Sequence, residues 1–227
     1  EEFGGLSDFG EEVVREMNRL GIMIDLSHVS DQTAMDVFAL TQAPVIASHS
    51  GARAVNDARR NMSDELLLAL KENGGVIQMC ILSAYVKEPA PNPQRDSARA
   101  AVREKHGNYY ELDEAGKEAF LKDWYAVDRD FPRELATVAD AVDHIDHIAR
   151  VAGVDHVGLG SDFDGANMPR GLEDVTRLPW ITYHLLKRGY TIDTWDFMHQ
   201  DDAALTPGLL LATTGISLVV WAPTSVL

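Results

Sequence analysis

The chain has 227 residues, 45% of them hydrophobic and 25% charged, which is enough to bury a sizeable core as one large domain. A formal charge of −16 repels phosphate backbones and anionic membrane surfaces, so sequence-independent nucleic-acid binding is excluded as a main activity. Cys80 is the single cysteine, which also excludes an intrachain disulfide and a cysteine-rich zinc site.

The opening EEFGGLSDFG has neither a basic region nor an apolar stretch. It does not read as a secretory signal, which favours the cytoplasm. Near the other end, LTPGLLLATTGISLVVWAP is interrupted by Pro207, Gly208 and Gly215. It falls short of the roughly 20 predominantly apolar residues of a spanning helix, so membrane insertion is not expected.

Asp8 followed by Glu11 reads as a capping-box-like start, and Val13, Val14, Met17 and Leu20 then recur at helical spacing until Gly21 stops the helix. IMIDLSH is short and apolar and suits a buried strand ending at His28. Ser30 and Asp31 can cap a second helix, and PVIASHS repeats the strand pattern with His49 in the place that His28 holds. Ser63 can cap DELLLALKENGG, and GVIQMC makes a third strand. Residues 82–135 are too long and polar for an ordinary connection and read as an insertion. A helix from Thr137 and a fourth strand in DHVGLGSDFDG complete the series. Strands alternating with helices imply a parallel sheet with crossovers, and in a (β/α) barrel the chemistry lies at the C-terminal ends of the strands. His28, His49 and Asp162 all fall at such ends.

Two imidazoles and a carboxylate on neighbouring strand ends suit a divalent metal, although a lone histidine near a strand end is more often a packing residue. His144 and His147 lie three apart on the predicted outer helix, and His156 begins a strand, so these three are expected to be structural. His106, His184 and His199 carry no assigned chemistry. Asp25 lies in the predicted buried strand and needs a partner that the sequence does not name. Asp164 is expected to hold its own turn. GLGSDFDG lacks the spacing of a phosphate-binding loop, and no serine or cysteine has a base at motif spacing.

The stretches GLSDFGEEVVREMNRLGIMIDLSHVSD, APVIASHSGARAV, RRNMSD and DHVGLGSDFDG closely resemble the membrane dipeptidase (renal dipeptidase) family of metallopeptidases, from about Gly5 through Tyr190. The resemblance implies the fifth to eighth βα units of a TIM-type (β/α)8 barrel over residues 1–190, followed by a divergent tail, 191–227. It further implies hydrolysis of dipeptides by a hydroxide bridging two zinc ions. His28 and His49, ending the fifth and sixth strands, would bind one zinc, and Asp162, ending the eighth, would accept the proton. Arg60 would grip the free C-terminal carboxylate of the dipeptide, and Tyr85 would line the pocket, although packing beneath the insertion is an equal role for that ring. The family's His-x-Asp pair and bridging glutamate belong to an earlier half of the barrel that is not in this sequence. The chain alone is therefore expected to be inactive, and to work as a homodimer or with a complementing N-terminal half. A non-catalytic half-barrel and another hydrolase of the same barrel group are the alternative readings.

Overall fold

The computed structural model describes residues 4–191. The tail from 192 onward, with its apolar run and His199, lies outside the described residues. Residues up to Glu88 and from Ala136 on form one compact unit, and Pro89–Leu135 form a second.

In the first unit, helix α1 (Asp8–Leu20) begins at Ser7, whose hydroxyl accepts from Gly10 N at 3.1 Å. The cap is thus Ser7 rather than Asp8, which sits one residue inside the first turn and there favours the helix dipole. Gly21 ends the helix at φ 70, a left-handed conformation that glycine adopts without steric cost. Helix α2 (Asp31–Leu40) starts on Ser30, strand β1 covers Ile46–Ser50, and helix α3 (Asp64–Asn73) starts on Ser63. Strand β2 (Val76–Met79) leads into the single turn α4 (Ser83–Val86).

The second unit is helical. Helices α5 (Pro93–His106) and α6 (Glu114–Asp130) bury Val102, Phe120 and Val127 in a small core of their own. Asp128 accepts from both Arg95 and Arg99, and the Arg99 guanidinium carbon lies 3.3 Å from the centre of the Trp124 ring. The chain then returns to the first unit with α7 (Val138–Val151), strand β3 (Val157–Leu159) and α8 (Pro179–Lys187).

The described strands form a parallel sheet in the order β1-β2-β3. Residues 22–28, expected as a full strand, do not form one: among the described residues Asp25 bridges Ile46 beside β1, with Leu26 N donating to Ile46 O at 2.7 Å and Ile46 N to Ile24 O at 3.0 Å. The reason is local. Asp25 Oδ1 takes the amides of Ser27 (2.9 Å) and Ser48 (3.0 Å), so a side chain replaces the next rungs of the ladder and the chain turns at His28. Strand β1 itself is irregular: Ala47 pairs with Ile77 but Ser50 with Met79, so three steps on β1 match two on β2. This bulge holds Ser48 and His49.

Helices α3 and α7 cover the sheet with the spacing their sequences carry. Leu66, Leu67 and Leu70 of α3 and Val138, Ala141, Val142, Ile145 and Ile148 of α7 are buried with Ile77 and Val157 in one core. Each large side chain so removed from water contributes about 1.5–3 kcal/mol.

Candidate active site

The C-terminal edge of the sheet brings together His28, His49, Arg60 and Tyr85, and Asp162 lies close enough for its charge to act on His49. His28 Nε2 and His49 Nε2 stand 2.9 Å apart, the ring planes inclined at 56°. The His49 amide donates to Ser27 Oγ at 3.0 Å, and its carbonyl accepts from Arg60 Nη2 at 3.3 Å. Its ring Nδ1 meets Ser48 Oγ at 2.7 Å, and that hydroxyl lies 2.5 Å from Asp25 Oδ2. Asp25 is solvent-exposed rather than buried, and its partners are Ser27 and Ser48. Burial pushes the His49 ring toward its neutral form, and the Arg60 charge adds to the effect.

Arg60 belongs to the loop of residues 51–62, which is closed by Met62 N donating to Gly51 O and Arg53 N to Met62 O, both at 2.8 Å. Asn61, 1% exposed, donates through Nδ2 to Asn56 O (2.9 Å) and Tyr85 O (2.8 Å), tying this loop to α4. The tie sets the Tyr85 ring with its centre 5.6 Å from the guanidinium carbon of Arg60. Arg60 Nε is buried and has no partner among the described residues. Arg59, its neighbour, is exposed.

Asp162 follows β3 and Gly160, with its carboxylate 3.9 Å from Cys80 Sγ. Burial pushes the Cys80 thiol up to about 12, so it is not a nucleophile at neutral pH. The turn beyond is closed by Gly165 N donating to Asp162 O and Phe163 O. His28 (φ 75), Asp162 (φ 58) and Asp164 (φ 61) are left-handed non-glycine residues, and two of the three are residues assigned chemistry from sequence.

Two imidazole nitrogens that share one tetrahedral zinc, each about 2.0–2.1 Å from it, lie roughly 3.3 Å apart. The observed 2.9 Å is within a few tenths of that, so His28 and His49 fit as two ligands of one ion. Asp162 does not join them: among the described residues no three histidine, cysteine, aspartate or glutamate side chains group to hold a metal.

The model of the membrane dipeptidases, peptidase family M19, matches residues 1–196. The chain belongs to this family. It is 40% identical over 185 residues to an uncharacterized dipeptidase of Schizosaccharomyces pombe, covering 81% of this chain and 34% of that protein. Dipeptidase aclJ of Aspergillus oryzae is 37% identical over 191 residues, with 84% and 35% covered. Among solved structures, the probable dipeptidase PvdM of Pseudomonas aeruginosa superposes with a TM-score of 0.70 at 30% identity, over 86% of this chain and 52% of that one. A metallo peptidase of Rhodobacter sphaeroides, liganded with a phosphinate mimic of the dipeptide L-Ala-D-Ala, gives 0.62 at 30% identity, over 87% and 45%. The chain thus spans about a third of the length of its curated relatives and about half of the solved ones.

In this membrane dipeptidase family member four of the other five described histidines hydrogen-bond to other groups, and the ring of the fifth, His184, meets that of Tyr183. His156 Nδ1 bonds Gly75 O at 2.8 Å, His147 Nε2 bonds Asp64 at 2.7 Å, and His106 Nε2 bonds Asp123 at 2.8 Å. His144, expected to be structural, is fully buried. Its Nε2 donates to Val86 O at 2.8 Å, and its Nδ1 accepts from Ala52 N at 3.0 Å. These bonds hold a neutral imidazole, and burial lowers its pKa below the ordinary 6.5. Below pH 6.5 the unfolded chain therefore takes up this proton more readily than the folded one. Stability present above pH 6.5 should fall on acidification by up to about 1.4 kcal/mol per pH unit from this group. Urea unfolding of the wild type and of His144→Gln across that range checks it. Parallel curves would show that His144 does not contribute.

Proposed function

We propose that this chain carries the C-terminal half of a zinc-dependent dipeptidase site, as the fifth to eighth βα units of a TIM-type barrel with residues 82–135 as an insertion. The observation that carries the reading is the pair of imidazole nitrogens 2.9 Å apart at the ends of adjacent extended segments, with Arg60 donating to the backbone carbonyl of His49. His28 and His49 would hold the metal, and a zinc ion there would supply Lewis acidity to a peptide carbonyl. Asp162 would accept the proton of the attacking water at its carboxylate. Arg60 would bind the substrate's free carboxylate, and Tyr85 would wall the pocket beside it. The dipeptide mimic bound by the Rhodobacter relative supports the substrate class.

The second ion and the remaining ligands would come from residues outside this chain's two histidines, so the chain alone would be inactive. Helix α1 supports a missing neighbour, since it presents Phe9 (73% exposed), Val13 (38%) and Leu20 (49%) to solvent. Elemental analysis of the purified chain should find zinc that the His28→Ala/His49→Ala double variant lacks. Dipeptide hydrolysis should appear only when the chain is combined with the N-terminal region of a family member. Equal zinc in both proteins, or no hydrolysis by the combination, would overturn the reading.

A further inference from the structure

The bulge in β1 has a chemical use. In a regular strand Ser48 and His49 would face opposite sides of the sheet, and a serine could not reach the ring of its neighbour. The extra residue lets Ser48 Oγ sit 2.7 Å from His49 Nδ1 while it also lies 2.5 Å from Asp25 Oδ2.

The protons of this chain can be assigned by counting. A serine hydroxyl has one proton, and an ionised carboxylate can only accept. Asp25 is already an acceptor for two backbone amides, those of Ser27 and Ser48, so its carboxylate is held facing donors. The Ser48 proton therefore goes to Asp25, and Ser48 Oγ is left with lone pairs alone to offer His49. Nδ1 must then be the nitrogen that carries the ring proton. Nε2 is left with its lone pair, and it is Nε2 that faces His28 at 2.9 Å.

We propose that Asp25 and Ser48 are positioning residues that lock His49 in the Nδ1–H tautomer and so aim the Nε2 lone pair at the point shared with His28. The consequence for metal binding rests on the reading of His49 as a ligand; the tautomer itself does not. Outer partners of this kind fix the ring orientation and basicity of a ligating histidine, and their loss lowers metal affinity about 10–100-fold. Ser27, which takes the His49 amide, and Arg60, which takes its carbonyl, restrain the same residue's backbone and leave the ring to Ser48.

The tautomer is read directly from the ring nitrogen resonances of the 15N-labelled, metal-free chain at mildly alkaline pH, with His49→Gln identifying the signals. The wild type should show Nδ1–H at His49. Asp25→Asn places a donor where Ser48 now finds an acceptor, which frees the hydroxyl proton for the ring and should shift His49 toward Nε2–H. Ser48→Ala should leave a mixture of tautomers, and Ser48→Thr, which keeps the hydroxyl, should restore the wild-type signal; a merely structural role for Ser48 would not follow the hydroxyl. Should Ser48→Ala fail to fold, the Asp25→Asn and Ser48→Thr pair decides alone. An Nε2–H ring in the wild type, or an unchanged tautomer in Asp25→Asn, overturns the proposal. In parallel, zinc titration should give a dissociation constant about 10–100-fold weaker for Ser48→Ala than for Ser48→Thr. Equal zinc affinity in the wild type and the His28→Ala/His49→Ala variant would instead sink the metal reading while the nitrogen spectra still judge the relay.

Discussion

Replacing Gly160 with alanine is expected to cost the fold about 3 kcal/mol or more, the upper range for a group forced into a packed interior. A methyl group there would lie 2.1 Å from Ser48 O, 2.8 Å from Gln78 Cβ and 3.0 Å from Gln78 O. Two of these are backbone atoms of the sheet, which cannot swing aside as a side-chain tip can. The carbonyl that fills this space belongs to the bulge, so the glycine after β3 and the extra residue in β1 require each other. Gly158, two residues earlier, is the control. A methyl group at that position meets only Gln78 Cγ, at 3.6 Å, and Gly158→Ala should be neutral or gain about 0.5 kcal/mol by restricting the unfolded chain. Urea midpoints of the two variants test the pair, and equal stability would show that the space beside Ser48 O is not confined.

If Arg60 grips the substrate's carboxylate as proposed, Arg60→Lys in the completed enzyme should raise KM for a dipeptide by about 10²–10³-fold with kcat nearly unchanged. A guanidinium fork makes two charge-assisted bonds to a carboxylate, at roughly 1.5–3 kcal/mol each, and an ammonium cannot reproduce the pair. A grip on a carboxylate that does not react is the same in ground and transition states, which places the loss in KM. The same variant should be almost indifferent toward a dipeptide amide, whose C-terminus carries no charge. If both substrates lose equally, Arg60 acts by holding His49 through its carbonyl rather than by holding substrate.

The elements that follow period and caps were legible in the sequence. Ser30, Ser63 and the Gly21 stop act as their types predict, and α7 buries the face its 3.6-residue period marks. His28, His49 and Arg60 could be placed because strand ends and a motif located them. Asp25, Ser48 and Asn61 could not, since each matters through a hydrogen bond to a residue distant in sequence or through a bulge that no alternation reveals. The buried strand expected at residues 22–28 is absent for the same reason, because an aspartate side chain takes over the amides that a strand would have bonded. His144 is structural, as its place on an outer helix implies, but its two partners, Ala52 N in the loop after β1 and Val86 O at the end of α4, are distant in sequence and could not be named from it.

His28 and Asp162 are held at φ 75 and 58, where an L side chain costs about 1 kcal/mol that glycine would not. On the roles proposed for these residues, heat tolerance and chemistry pull the two positions in opposite directions. In a library of variants screened only for survival at high temperature, glycine should be enriched at residues 28 and 162. In one screened for activity in the completed enzyme the histidine and aspartate should persist if they carry the proposed roles, so the left-handed backbone would record which demand has shaped the chain.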